Sequence, residues 1–410
     1  MYKRKIMISA YACEPYKGSE PGVGWNWVLQ MSKYYELWVL TRKSNEENIN
    51  KFINLNKDFE SIHFIYFDLP KWVRFWKKGM RGVRTYYTLW QICSNHVVKD
   101  VMKKNDIKVF HHLTYGNSLW TVSKYGQKQF FIYGPTGGVD TIPYVFSRNY
   151  TFRNRLIEKI RRVAVAMLPW NMGFVDRCKN ANVILCKTKY MFECIPKEYQ
   201  DKALLFTDVA VDMQQNKVKK HNANSKVEFI IVGKFDAWRG FDLAIEAIAL
   251  LRNLSDKIHL NIIGDGADRH RLEKLVTDLN VEDYVTFLGK VDYDVYHRYM
   301  NECDVVLNPA LKEGAVTVAF DAMSYAKPII CVDTYGYTNY FKDIAPTITR
   351  TTYMDTIRKL AEEMKNMLNP EVRKSVGEKL YQRGLEYTWD TKGEQIHEMI
   401  ETAIAKWRKD

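Results

Sequence analysis

The stretch 304–333 constrains the fold more than any other part of the chain. A short apolar run at 305–307 enters a polar loop, apolar positions at helical spacing follow from Val316, and a second apolar run at 329–332 begins after Lys327-Pro328. Strand, loop, helix and strand in so few residues is the rhythm of a βαβ unit. Ligands of such sheets sit beyond the carboxyl ends of the strands, which is where Glu313 and Gly314 fall. With a helix starting near Val316, Asp321 lies within its first two turns. Glu313 and Asp321 are then expected to face one crevice as an acidic pair suited to sugar hydroxyls.

The same rhythm runs through the chain. Short apolar runs at 6–10, 36–40, 62–67, 109–112, 130–133 and 182–187 read as strands of a first sheet, and runs at 227–232, 258–263 and 285–288 as strands of a second. A chain of 410 residues is long for one core. Between the two sets, residues 214–225 are polar and include Lys217, Lys219 and Lys220, the composition of a linker. The expected fold class is α/β, with two Rossmann-like doubly wound domains facing across a cleft. The expected division is a first domain at 1–212, a linker at 213–226, a second domain at 227–385 and a C-terminal helix at 386–410 packing across both.

The loops after these strands carry the chemistry. Gly233 and Lys234 follow the first strand of the second domain, Arg239 and Gly240 come next, and apolar positions at helical spacing begin at 241. Strand, basic Gly-containing loop and helix is an arrangement that holds phosphate, because the side chains bring charge and the helix start brings N–H donors. Gly264 and Gly266 end the next strand, and Gly289 with Lys290 the one after. In the first domain Gly22 and Gly24 stand between a strand and a helix expected near Trp25, where bare backbone could approach a phosphate or serve only as a turn. Their spacing is not G-x-G-x-x-G, so a nicotinamide cofactor finds no support. His112 ends a strand, where a lone histidine is more often structural than functional. Asp292 and Asp294 could hold a divalent metal, but they directly precede a helical segment and capping explains them without one.

Charge narrows the partners. The formal net charge is +13 and the sequence pI is near 9.1, a bias toward anionic partners. Two stretches concentrate it: 71–91, with cations interleaved with Trp, Phe and Tyr, and 146–170, with Arg148, Arg153, Arg155, Lys159, Arg161 and Arg162 beside aliphatic residues. Cations opposite aromatic and aliphatic side chains suit the surface of an anionic membrane, although two solvated helices packed by their apolar faces would read the same. Alternation with aliphatics is not an RNA-binding signature, so nucleic acid is not expected as a partner. The cysteines, at 13, 93, 178, 186, 194, 303 and 331, have no paired spacing and point to neither zinc nor a disulfide framework. The start of the chain reads as a first strand rather than a signal peptide, and no apolar run is long enough to span a membrane.

Taken together, these loops resemble those of family-4 glycosyltransferases, retaining nucleotide-sugar enzymes of GT-B architecture common in bacterial polysaccharide biosynthesis. The family's Glu, seven residues, Glu motif is matched by Glu313 and Asp321, and its Gly-Arg and Lys-Gly elements by Gly233-Lys234 and Arg239-Gly240. The second acid is one methylene shorter here and the two bases are exchanged, which keeps charge but alters hydrogen-bond geometry. The resemblance implies that Lys234 and Arg239 neutralise the donor diphosphate, that Glu313 contacts the donor sugar, and that the backbone at Gly314, Ala315 and Val316 supports sugar and phosphate. It also implies that Asp321 binds ribose, that Gly289 and Lys290 line the base pocket, that Gly22 and Gly24 face the phosphates, and that His112 stands near the sugar. The partners implied are a UDP- or GDP-linked sugar, a lipid-linked or growing glycan acceptor, and an anionic membrane surface reached through 71–91 and 146–170, at the inner face of the cytoplasmic membrane. No metal or other cofactor is implied. A GT-B-like sugar-nucleotide epimerase and a basic nucleic-acid-binding protein are the alternatives.

Overall fold

The computed structural model describes residues 3–407 apart from 57–58, 60, 74, 77–81, 214–225, 255, 313–316 and 335, with the backbone alone at 148, 149 and 337. Two compact units divide the chain: residues 1–139, 165–208 and 389–410 form one, and residues 140–164 and 209–388 the other.

The first unit holds a parallel sheet of seven strands: β1 (Arg4–Ser9), β2 (Tyr35–Arg42), β3 (Ile62–Phe67), β4 (Val109–His112), β5 (Phe130–Thr136), β6 (Val183–Cys186) and β7 (Ala203–Leu205). Their spatial order is β3-β2-β1-β4-β5-β6-β7. The central strands are buried on both faces, as near-continuous apolar runs predict for a parallel sheet. The second unit repeats the plan with β8 (Val227–Val232), β9 (Ile258–Ile263), β10 (Val285–Gly289), β11 (Val305–Asn308), β12 (Ile329–Val332) and β13 (Thr347–Ile348), ordered β10-β9-β8-β11-β12-β13. In each sheet the chain winds outward, returns to the middle and winds the other way, so a switch point lies between β1 and β4 and another between β8 and β11. The edge strands β7 and β13 carried too few apolar residues to stand out in the sequence.

Two features differ from the expected division. Residues 140–164 do not stay with the first half: Ile142, Phe146 and Tyr150 are buried in the core of the second unit, alongside Phe229, Phe235 and Leu260. The last helix, Trp389–Trp407, is part of the first unit, where Ile396, Ile400 and Ile404 are buried and Arg4 pairs with Glu401 at 2.8 Å. The expected linker lies almost wholly outside the described residues.

The first helix also starts early. It spans Ser19–Ser32, so Gly22 and Gly24 are inside it rather than in a loop before Trp25. A Cβ on Gly24 would stand 2.1 Å from the Ala12 carbonyl oxygen and 2.7 Å from Thr114 Cγ2. The glycine lets the helix lie against the segments leaving β1 and β4, which is a packing role.

Candidate functional site

The site grows from the switch point of the second sheet. β8 and β11 are neighbours, paired Val305 to Phe229 through Leu307 to Ile231, so the loops that leave them start side by side. Gly240 takes φ 72°, and a Cβ there would stand 2.2 Å from the Pro309 carbonyl oxygen. Only glycine allows both that backbone angle and that contact. One turn earlier the Leu311 N–H donates to the Trp238 carbonyl at 2.9 Å, so the two loops are stitched together.

Cations gather at this seam. The Arg239 guanidinium lies 4.3 Å from the centroid of the Trp238 ring, and the Lys312 ammonium 5.4 Å from the same ring. Lys234 points outward, with 56% of its side chain exposed and its ammonium 3.1 Å from Asp236. An exposed pair of that kind holds its partners weakly, so an incoming anion can displace the carboxylate. Lys312 is different: it is buried against Glu158, and its ammonium donates to Oε1 of that residue. Burial, with Arg161 adding to it, pulls the Lys312 ammonium down to about 8 despite the opposing Glu158.

The helix Phe241–Leu250 opens immediately after Gly240. Its first-turn acid, Asp242, is buried and engaged by Arg271 at 3.2 Å, and burial raises its pKa. Next to β8, the ends of β9 and β10 are closed by glycine: Gly264 N–H donates to the Gly289 carbonyl at 2.8 Å, and a Cβ on Gly264 would meet the Gly233 oxygen at 1.8 Å. Strand ends zipped in this way leave backbone, not side chain, at the carboxyl edge.

Residues 212–383 match the model of the glycosyl transferases group 1 family. The matched stretch lies within the second unit. An uncharacterized glycosyltransferase of Methanocaldococcus jannaschii is 23% identical over 212 residues, 52% of this chain and 57% of its own length. The chain spans about half the length of the curated relatives it matches. Among solved structures, sucrose-phosphate synthase of Thermosynechococcus elongatus superposes with a TM-score of 0.65 at 16% identity, covering 98% of this chain and 100% of that one. Anabaena HepE in complex with UDP-glucose superposes at 0.59 with 13% identity, covering 97% and 99%. The chain has the GT-B fold class, α/β with two parallel Rossmann-like sheets.

In the second unit, Gly240 and Trp238 touch the segment 309–312, and Gly233, Lys234 and Arg239 belong to the same loop after β8. Glu313, Gly314, Ala315 and Val316 themselves lie outside the described residues. Asp321 stands in the second turn of the helix Thr317–Ser324, half-buried, and the Tyr296 hydroxyl donates to its Oδ2 at 2.6 Å. Burial lifts the Asp321 carboxyl to about 7, with Asp212 adding to the shift and the Tyr296 bond opposing it. Gly289, at φ 70°, has open space where a Cβ would go, the nearest atom being Arg269 Nη1 at 3.9 Å, and Lys290 is exposed. Asp292 occupies the N-cap position of the helix Tyr293–Glu302, but its side chain accepts no cap bond.

The remaining predicted residues belong to the first unit. Gly22 and Gly24 lie inside the first helix, where a Cβ on Gly22 would meet the Lys17 carbonyl oxygen at 2.1 Å and Gly24 packs as described above. His112 is 1% exposed, its Nε2 3.3 Å from the Tyr87 hydroxyl, and burial, with His111 and Arg177 adding, drops it to about 3. It forms part of the wall beneath the switch point and offers no surface to a ligand in this conformation.

Sequence reasoning passed over Trp238, Tyr296, Lys312 and Glu158. Only Glu158 left a trace in the sequence: it is the single acid in a helix, Phe152–Ala166, that carries Arg153, Arg155, Lys159, Arg161 and Arg162.

Proposed function

We propose that this protein is a retaining glycosyltransferase that moves a sugar from a UDP- or GDP-linked donor to a lipid-linked or growing polysaccharide acceptor. The observation that carries the reading is the convergence of Lys234, Arg239 and the 309–312 segment at the switch point between β8 and β11. Breaking the bond between sugar and diphosphate builds negative charge on the leaving group. Lys234 and Arg239 supply fixed positive charge there, and such a group typically contributes about 3 kcal/mol to the transition state. Glu313 would contact the sugar and Asp321 the ribose once Tyr296 yields its hydrogen bond. Attack by the acceptor on the departing side, with a phosphate oxygen taking the proton, needs no protein nucleophile and retains the anomeric configuration. No metal or other cofactor enters this route. The solved complex of HepE with UDP-glucose supports a nucleotide-linked donor.

The acceptor side of the proposal rests on exposed apolar surface. On the helix Phe152–Ala166, Phe152, Leu156, Ile160 and Val163 are exposed at helical spacing, with the cations of the same helix around them. In the first unit Trp72, Phe75, Trp170 and Met172 are each more than three-quarters exposed. Apolar side chains ringed by cations suit an anionic lipid surface, and docking there would bring the enzyme to a lipid-linked acceptor. Among the described residues no helix is long and apolar enough to cross a membrane.

The test is a thermal-shift screen against UDP, GDP and their common sugars, followed by product stereochemistry on the donor that binds. A ligand specific for the folded state raises the melting temperature, so one nucleotide should shift it by several degrees. No shift from either would end the reading. Flotation with anionic vesicles should retain the protein and lose it after Arg153→Glu/Arg155→Glu; binding that survives both changes would remove the membrane part.

A further inference from the structure

The helix Phe152–Ala166 buries the wrong residue for an amphipathic helix. Its aliphatic side chains up to Val163 face out, while among residues 152–164 the buried one is Glu158, 4% exposed. Taking a carboxylate out of water is unfavourable unless a charge pairs with it. The partner lies far along the chain: Lys312, 5% exposed, the last described residue before Glu313. Arg161 and Asp140 also face the pair, and Glu158 Oε2 accepts no bond among the described residues. The Lys312 ammonium in turn lies over the Trp238 ring, whose other cationic neighbour is Arg239. Glu158, Lys312, Trp238 and Arg239 therefore form one line of contacts. It runs from the helix to the loop after β8.

We propose that Glu158 is a positioning residue for the nucleotide-sugar donor, holding Lys312 against Trp238 so that Trp238 seats Arg239 toward the diphosphate. The proposal rests on the donor reading given above. A purely stabilising role would be better filled by an apolar pair of similar volume, because desolvating two charges consumes most of their attraction. An ion pair instead fixes direction. It also explains why residues 140–164 leave the first half of the sequence to pack in the second unit, where they bring that one carboxylate to the loop after β11.

The test is calorimetric titration of UDP and GDP, and of the matching sugar nucleotide, into the full chain. The variants are Glu158→Gln, Glu158→Asp and the uncharged pair Glu158→Leu/Lys312→Met, with melting temperatures alongside. Glu158→Gln should weaken sugar-nucleotide binding tenfold or more, and Glu158→Asp should recover part of it. The uncharged pair should regain the melting temperature but not the affinity. Wild-type affinity in a folded Glu158→Gln variant overturns the proposal, and so does full recovery of affinity in the uncharged pair. If the wild-type chain binds neither nucleotide, the donor reading itself fails and the proposal goes with it.

Discussion

At the switch point of the second sheet Lys234 keeps more than half its side chain in solvent, where its pair with Asp236 is exposed, and Arg239 rests on an aromatic face. At the switch point of the first sheet the charged groups are turned on one another. Glu20 accepts the Tyr115 N–H, Lys187 pairs with Asp208 at 2.5 Å, and Arg42 donates to the Tyr11 carbonyl at 3.0 Å beneath a cluster of Tyr11, Tyr87, Tyr115 and Trp120. Two sheets with the same strand order thus present different edges. Topology supplies a place for a ligand, and the loop residues decide whether charge there is spent inside the protein or kept for what binds.

Several substitutions would break or sharpen that contrast. The largest effect is expected for Lys234→Ala and Arg239→Ala, each lowering turnover by about 10²–10³-fold, the usual cost of removing one leaving-group contact. Lys234→Ala should leave the melting temperature nearly unchanged, because the side chain is exposed; full activity in both variants would show that these cations do not serve catalysis. In the first unit the large effect should instead be on stability. Gly24→Ala forces a Cβ onto the Ala12 carbonyl and should cost up to about 3 kcal/mol, read as a lower urea midpoint.

Acidity should separate the units next. Lys392, buried with its ammonium 2.7 Å from the Thr207 carbonyl, is pulled down to about 7 by burial, with Asp208 opposing. The unfolded chain then binds the extra proton between about 7 and 10.5, so this group makes stability rise with pH across that window. Asp321 acts in the opposite sense. Its folded pKa of about 7 lies above the ordinary aspartate value of 3.8, so the folded state binds the extra proton and stability falls as pH rises from about 4 to about 7. Urea midpoints against pH should lose the upper slope in Lys392→Met and the lower slope in Asp321→Asn. Each slope has a ceiling of about 1.4 kcal/mol per pH unit, and slopes that persist would mean other groups titrate there. The smallest effect is expected for Gly289→Ala at the second edge, about 1 kcal/mol of backbone strain, because open space surrounds that position.

Much of this was written locally. The runs that became β1 to β6 and β8 to β12 stood out because burial on both faces demands unbroken apolar residues. The basic, glycine-bearing loop after β8 was legible too, since Gly233, Lys234, Arg239 and Gly240 sit between a strand and a helix within a few positions. The first helix was misplaced because its two glycines look like loop residues, and only the approach of Ala12 and Thr114 shows why Gly24 is a glycine. The role of Glu158 was hidden among five cations, and the Tyr296 bond to Asp321 joins two helices whose facing could not be read from either one.

The sequence by itself determined the elements and their alternation, because helical and strand periods are properties of neighbouring residues. The tertiary structure alone decided that residues 140–164 serve the second unit, that Trp238 lies between two cations, and that a carboxylate 154 positions away holds Lys312. Those pairings depend on which surfaces meet when the second unit folds, and no local pattern records that.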